Sequence, residues 1–147
     1  MTRTAIVTRP IQAAALIAEV SSDANGATSL FVGTVRDVND GRAVTGIEYT
    51  AYGAMAAREL EKIVTEAAER FGGVTIAVEH RVGTLALGDV SVAIAAPHAH
   101  RRHALDATRF VIEELKRRVP IWKREHYADG TREWVDPSSS LARKPAP

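Results

Sequence analysis

The run H-A-H-R-R-H-A-L-D-A-T-R-F-V-I-E-E-L-K-R-R-V-P-I-W-K-R-E, His98 to Glu125, decides how this chain is read. Leu105, Thr108, Val111, Ile112, Leu115 and Val119 recur at three- and four-residue spacing, which is the period of one face of an α-helix. The helix is expected to start between Ala99 and Arg102. It must end before Pro120, because proline disfavours helical geometry in the residue that precedes it. Ile121 to Glu125 then reads as a β-type segment. Between Arg101 and Arg124 stand eight of the 19 Lys and Arg residues, against the acids Asp106, Glu113 and Glu114, although the whole chain carries a net charge of only +1. Positive charge concentrated in this way attracts an anion. His100 and Arg101 fall at the helix N-terminus, where unpaired N–H groups and the helix dipole already favour negative charge. Arg117 and Arg118 are read as last-turn cations that complement the helix C-terminus. Lys116 lies on the edge of the apolar stripe, so its stem can be held while its ammonium reaches a pocket. Lys123 returns just beyond the Pro120 corner, and the two lysines are placed to face one site.

Working outward, 147 residues without repeats suggest one domain, residues 1–135, with a loose Ser-, Lys- and Pro-rich tail at 136–147. At 46% apolar and 25% charged the composition is that of an ordinary soluble protein. With no cysteine, thiol nucleophiles, disulfides and Cys-ligated zinc are excluded. No basic-then-apolar leader and no membrane-length apolar run is evident, so the cytoplasm is the expected compartment. Strands are expected at Ala5 to Thr8, Ala27 to Val35, Val44 to Thr50, Val74 to Val82, Val90 to Ala96, Ile121 to Tyr127 and Thr131 to Val135. Further helices are expected from Pro10 to Val20 and from Gly53 to Phe71. Asp37 to Gly41 and Leu85 to Asp89 read as turns, and Asp129-Gly130 as a hairpin. Gly33, inside a strand, marks a bulge or a close approach. The order β-α-β-β-α-β-β-α-β-β, with short connections, argues for an α+β domain of mainly antiparallel strands.

Three constellations compete for function. His98 and His100, with His103, suggest half of a metal site, but Arg101 and Arg102 repel a cation and no carboxylate or Cys completes the set. Arg101, Arg102, Lys116, Lys123 and Arg124 with Trp122 interleaved suggest a nucleic-acid surface, weakened by the balanced charge and the absence of a nucleic-acid motif. The third reading, a pocket for a small phosphorylated or carboxylated molecule, uses Arg36, His100 and Arg101 as an anion clamp and the two lysines as working groups. It explains the clustering best.

The motifs G-T-V-R-D at Gly33 to Asp37, H-R-V-G at His80 to Gly83, A-H-R at Ala99 to Arg101 and L-K-R-R-V-P-I-W-K-R-E at Leu115 to Glu125, closed by Trp134-Val135, resemble the large, catalytic subunit of molybdopterin synthase. The resemblance covers roughly Ser29 to Val135, and its long lysine-proline-tryptophan run is specific. It implies an α/β hammerhead-type fold with an additional, mainly antiparallel sheet. It also implies a sulfurtransferase that converts cyclic pyranopterin monophosphate to molybdopterin. The implied partners are a second large subunit and two small ubiquitin-like sulfur carriers ending in a Gly-Gly thiocarboxylate, a heterotetramer that needs no metal or cofactor of its own. By the same resemblance Lys116 and Lys123 are catalytic, with Lys116 beside the thiocarboxylate and Lys123 stabilising charge on pterin or phosphate. Thr34, Val35, Arg36, His100, Arg101, Lys116, Lys123, Arg124 and Glu125 match substrate-binding positions, the His-Arg pair coming from the neighbouring large subunit. For Arg124 and Glu125 an ion pair that fixes the strand is an equal expectation. His98, where the family often has Ser, and Arg102 depart from the pattern at the pocket rim.

Overall fold

A computed structural model describes residues 2–135, and the expected tail at 136–147 lies outside the described residues. The chain runs β1 (Arg3–Val7), α1 (Ala13–Val20), β2 (Ala27–Thr34), β3 (Val38–Asn39), β4 (Arg42–Ala51), α2 (Gly53–Arg70), β5 (Ala77–Arg81), β6 (Gly83–Ala86), β7 (Val90–His98), α3 (Arg101–Arg118), β8 (Ile121–Tyr127) and β9 (Arg132–Val135). One sheet has the order β1-β5-β7-β2, with β1 and β5 parallel and the other pairs antiparallel. The second, antiparallel sheet runs β3-β4-β8-β9, and β6 also pairs with β4. This is the expected α+β architecture, with an added sheet.

Strand β5 runs between β1 and β7, so both of its faces are covered. Ala77 joins Leu16 and Val20 of α1, together with Ile11, Ala93 and Ala95, in a small core on one face. Ile76 and Val78 point the other way, into the main core with Leu60, Ile63 and Val64 of α2, Val111 and Leu115 of α3, and Ile47 and Tyr49 of β4. The alternation of a strand therefore sends Glu79 toward the α1 side and His80 toward α3 and β4.

Several boundaries differ from the sequence reading for local reasons. The turn at Asp37 to Gly41 contains a two-residue strand, in which Val38 pairs with Ala43 and Asn39 with Arg42 across Asp40 and Gly41, both at positive φ. That backbone suits a tight hairpin. Of the expected turn at Leu85 to Asp89, Leu85 and Ala86 belong to a strand, Gly83 to Ala86, because it pairs with Gly46 to Tyr49, and the turn itself falls at Leu87-Gly88. Helix α1 begins at Ala13, three residues after Pro10. Gly33 fulfils both of its expectations: the register slips between Gly33 and Thr34, and an added Cβ would meet Val92 Cγ1 at 2.8 Å. On α3 the inner face is built from Ala104, Ala107, Thr108, Val111 and Leu115, while Leu105, expected inside, is 59% exposed. Small alanines there let the helix pack closely on β2 and β7.

Arg118 does more than complement a helix end. Its guanidinium donates to Glu59 and Glu66 of α2 at 2.9 and 2.8 Å and to Glu114 of its own helix at 3.3 Å, clamping α2 to α3. Arg117 pairs with Glu114, as an ordinary surface cation does.

Candidate active site

Helix α3 ends at Arg118, the Val119 N–H still bonds to the Leu115 carbonyl at 3.0 Å, and Pro120 turns the chain into β8. The Pro120 carbonyl accepts from the Tyr52 N–H at 3.2 Å, which pins this corner to the start of α2. The corner brings Lys116 and Lys123 close enough for their charges to interact, as the sequence predicted. Burial is the main cause that pulls the Lys116 ammonium below its ordinary pKa, and the Lys123 charge adds to the effect.

Strand alternation sorts the β8 side chains. Lys123 and Glu125 share the face of their register partners Tyr49 and Ile47, which look into the core. Lys123 Nζ lies 3.1 Å from Glu125 Oε1, and Glu125 is 1% exposed. Arg124 points to the opposite face, where its guanidinium pairs with Glu48 at 2.8 Å and stacks over the Trp134 ring at 4.8 Å. The two residues each make a strand-fixing ion pair, but not with one another, because adjacent positions on a strand cannot face the same partner. Within one chain Arg124 therefore lies on the other side of the sheet from the lysines.

His80 is the residue that sequence reasoning missed, although it opens the H-R-V-G motif. It is 1% exposed, and with Lys116, Leu115, Val119 and Ile121 it walls a cavity of about 10 Å³. Burial first, then the nearby Lys116 charge, lowers its pKa to about 3, so the ring is neutral at physiological pH. Tyr49 meets the ring edge-on, with centroids 5.2 Å apart. The available signal was the alternation of β5: a strand reading A-V-E-H-R must bury Glu79 or His80 if one face is covered, and this one, covered on both faces, buries both.

The anion-clamp residues lie elsewhere. Thr34 and Arg36 are exposed at the end of β2, and among the described residues Arg36 has no ion-pair partner. Val35 is buried at 3%, and its N–H and carbonyl bond to Asp89 and Gly88, so its side chain belongs to the core. His100 occupies the N-cap position of α3 without a side-chain capping bond and, with Arg101, Arg102, Gly26, Ala27 and Ala99, lines a cleft of about 360 Å³. A Cβ on Gly26 would meet the Ala99 carbonyl at 2.8 Å, so only glycine closes that wall. His98 stacks on His103 with centroids 4.5 Å apart and accepts at Nδ1 from the His100 N–H at 3.0 Å. Among the described residues no three His, Asp or Glu side chains are grouped to hold a metal ion. A roomier cleft of about 620 Å³ beside α1 is lined by Arg3 and Arg9, whose guanidiniums are already paired with Glu79.

The basic cluster is therefore not one continuous surface. Arg118 and Arg124 are tied into ion pairs and the Trp122 indole nitrogen is buried, which leaves the nucleic-acid reading without a platform. No helix of the described residues is long and apolar enough to cross a membrane.

A family model described as MoaE protein matches residues 6–118. Among curated relatives, a molybdopterin synthase catalytic subunit from Synechococcus elongatus is 44% identical over 136 residues, covering 92% of this chain and 82% of that one. Its counterpart from Emericella nidulans is 43% identical over 78% of this chain, which spans 59% of the length of that relative. Of the solved structures, molybdopterin synthase from Staphylococcus aureus superposes with a TM-score of 0.83 at 35% identity, covering 88% of this chain and 94% of that one. The complex of subunits 1 and 2 of molybdopterin-converting factor from Helicobacter pylori contains a chain with a TM-score of 0.72 at 25% identity, covering 88% and 87%. With the matched model spanning α1 through α3, the chain belongs to the MoaE family and shares it with molybdopterin synthase catalytic subunits.

Proposed function

We propose that this chain is the catalytic subunit of a cytoplasmic molybdopterin synthase. It converts cyclic pyranopterin monophosphate to molybdopterin with sulfur delivered on the C-terminal thiocarboxylate of a small ubiquitin-like carrier. Two copies pair, and each takes one carrier. The observation that carries the reading is the Lys116–Lys123 corner: one lysine depressed by burial and lacking an ion-pair partner among the described residues, the other held by a buried carboxylate. A lowered pKa leaves more of the Lys116 amine with a free lone pair, as acyl or proton transfer beside a thiocarboxylate requires. Lys123, fixed by Glu125, supplies positive charge to pterin or phosphate. Thr34, the Val35 backbone and Arg36 close one end of β2 while His100 and Arg101 flank the other, so the anion clamp joins Arg36 of one copy to the His100-Arg101 pair of the second. Arg124, on the outer face, braces β8 against Glu48 and Trp134. The chain has no cysteine, so sulfur cannot be relayed through a persulfide on it and must arrive on a partner.

The test is reconstitution with a thiocarboxylated carrier and the cyclic pterin, assayed for dithiolene product. Lys116→Ala should lower turnover at least about 100-fold, in the range expected for loss of a proton-transfer group, with an unchanged circular dichroism spectrum. Near-normal turnover in that variant removes Lys116 from the chemistry.

A further inference from the structure

The cavity beneath Lys116 has one polar wall apart from the lysine itself. Leu115, Val119 and Ile121 supply apolar surface, and His80 supplies an imidazole. At about 10 Å³ it is too small for a pterin and holds at most one water. His80 Nδ1 lies 2.9 Å from the Arg81 carbonyl oxygen, which only accepts, so a neutral ring carries its proton on Nδ1. Nε2 is then left with an unshared pair. A carboxylate in this position would pair with the ammonium and hold it charged, whereas a neutral imidazole orients the amine and leaves its proton removable.

We infer that His80 is a positioning residue for Lys116, its unprotonated Nε2 forming the polar wall that holds and orients the lysine head group. This rests on the proposed role of Lys116 in the chemistry. The surrounding groups are consistent with it. Tyr49 of β4 meets the His80 ring edge-on, and Ser91 of β7 donates to the Gly33 carbonyl. Lys123 and Glu125 of β8 pair with each other, and Arg81 of β5 pairs with Asp89 at 3.4 Å. None of these holds Lys116 by an ion pair. His80 stays neutral throughout the assay range, so a shift in the pH profile would report Lys116 and not the histidine.

The experiment compares wild type, His80→Leu and His80→Gln as full chains. The Lys116 amine is titrated by competitive acylation at a series of pH values and read by mass spectrometry without substrate. Removing the acceptor disfavours the ammonium, so in His80→Leu the Lys116 titration should fall by about one pH unit, the equivalent of losing a tenfold preference for the charged form. His80→Gln, which keeps an acceptor, should restore most of it. In reconstituted enzyme, His80→Leu should lose about tenfold in kcat with KM within about twofold and an acid limb moved to lower pH, as for an interaction made at the reacting group. An unmoved Lys116 titration in His80→Leu overturns the inference. If the leucine variant does not fold, selectively ¹⁵N-labelled histidine in Lys116→Met protein serves instead: the His80 Nε2 resonance should move, and an unchanged resonance overturns the inference. A shifted titration in protein that makes no molybdopterin would uphold the His80–Lys116 coupling and reject the proposed reaction, so the two can fail separately.

Discussion

Replacing Lys123 by Ala perturbs more than a proposed catalytic charge, and the structure gives the size of the structural part. Glu125 is 1% exposed, its Oε1 is 3.1 Å from Lys123 Nζ, and its Oε2 has no hydrogen-bond partner among the described residues. Without the lysine, the folded protein must bury a bare carboxylate or protonate it. Breaking a buried pair by removing one partner costs about 3–5 kcal/mol. Because the Lys123 side chain keeps 21% exposure, the lower end applies, about 3 kcal/mol. Glu125→Gln removes the buried charge at nearly constant shape. The double variant should therefore recover about 2 kcal/mol relative to Lys123→Ala alone, a coupling of the size seen for interacting pairs. The assay is urea unfolding of the four proteins at pH 7 and one fixed concentration, since the proposed pairing of copies would add to apparent stability. With a urea slope of about 1–3 kcal/mol per molar, the Lys123→Ala midpoint should fall by 1 M or more. If Lys123→Ala lies within about 1 kcal/mol of wild type, or the double variant is no more stable than the single, the ion pair is not the anchor described.

Arg36→Ala, His100→Ala and Arg101→Ala should each raise KM for the phosphorylated pterin about 10- to 100-fold, since a charge-assisted hydrogen bond contributes about 1.5–3 kcal/mol; unchanged KM in all three would direct the cluster to another ligand. Glu79 is held below the usual carboxylate pKa, chiefly by the Arg9 hydrogen bond and also by Arg3, so its stabilising contribution is full above the unfolded-state value and is lost as pH falls through the folded one. Arg9→Ala should therefore flatten the acid limb of a stability-versus-pH curve measured by thermal melts, and an identical limb would count against the assignment. Mixing inactive Lys116→Ala protein with Arg101→Ala protein, at a substrate concentration well below the raised KM of the latter and under verified subunit exchange, should restore part of the activity if the site is shared between two copies. No recovery would reject sharing.

The elements set by periodicity were legible in the sequence. Helix α3, its break at Pro120 and strand β8 follow from spacing and from one proline, and the same stretch placed Lys116 and Lys123 at one corner. What escaped depended on pairing at a distance. Strand β6 has four residues and no pattern of its own, and it exists because β4 offers it a register from Gly46 to Tyr49. Arg118 looked like a helix-end cation because nothing local reveals that Glu59 and Glu66, some fifty residues earlier, face it across two packed helices. Likewise, Arg124 and Glu125 are neighbours in sequence, but the face each takes depends on the strand's register with β4. His80 was hidden for the same reason. A histidine in a strand becomes informative only when the helix that crosses it is known to carry a lysine.

The corner also supports dividing the work between two lysines of identical chemistry. Lys116 is mounted on a helix, its stem held among Leu115, Val119 and Ile121, with a neutral histidine for company and, among the described residues, no carboxylate in ion-pair contact. Lys123 is mounted on a strand and locked to a buried glutamate. A lysine freed of counter-charge and depressed by burial is suited to exchanging a proton, and a lysine tied to a carboxylate is suited to presenting a fixed charge. Toward the far end of the same helix, with Arg101 15 residues before Lys116 and so roughly 22 Å away at 1.5 Å per residue, His100 and Arg101 offer the anion cleft. One small substrate cannot span that length within a single chain. A symmetric pair of chains, bringing one copy's helix start to the other's Pro120 corner, lets both ends of α3 serve the same reaction.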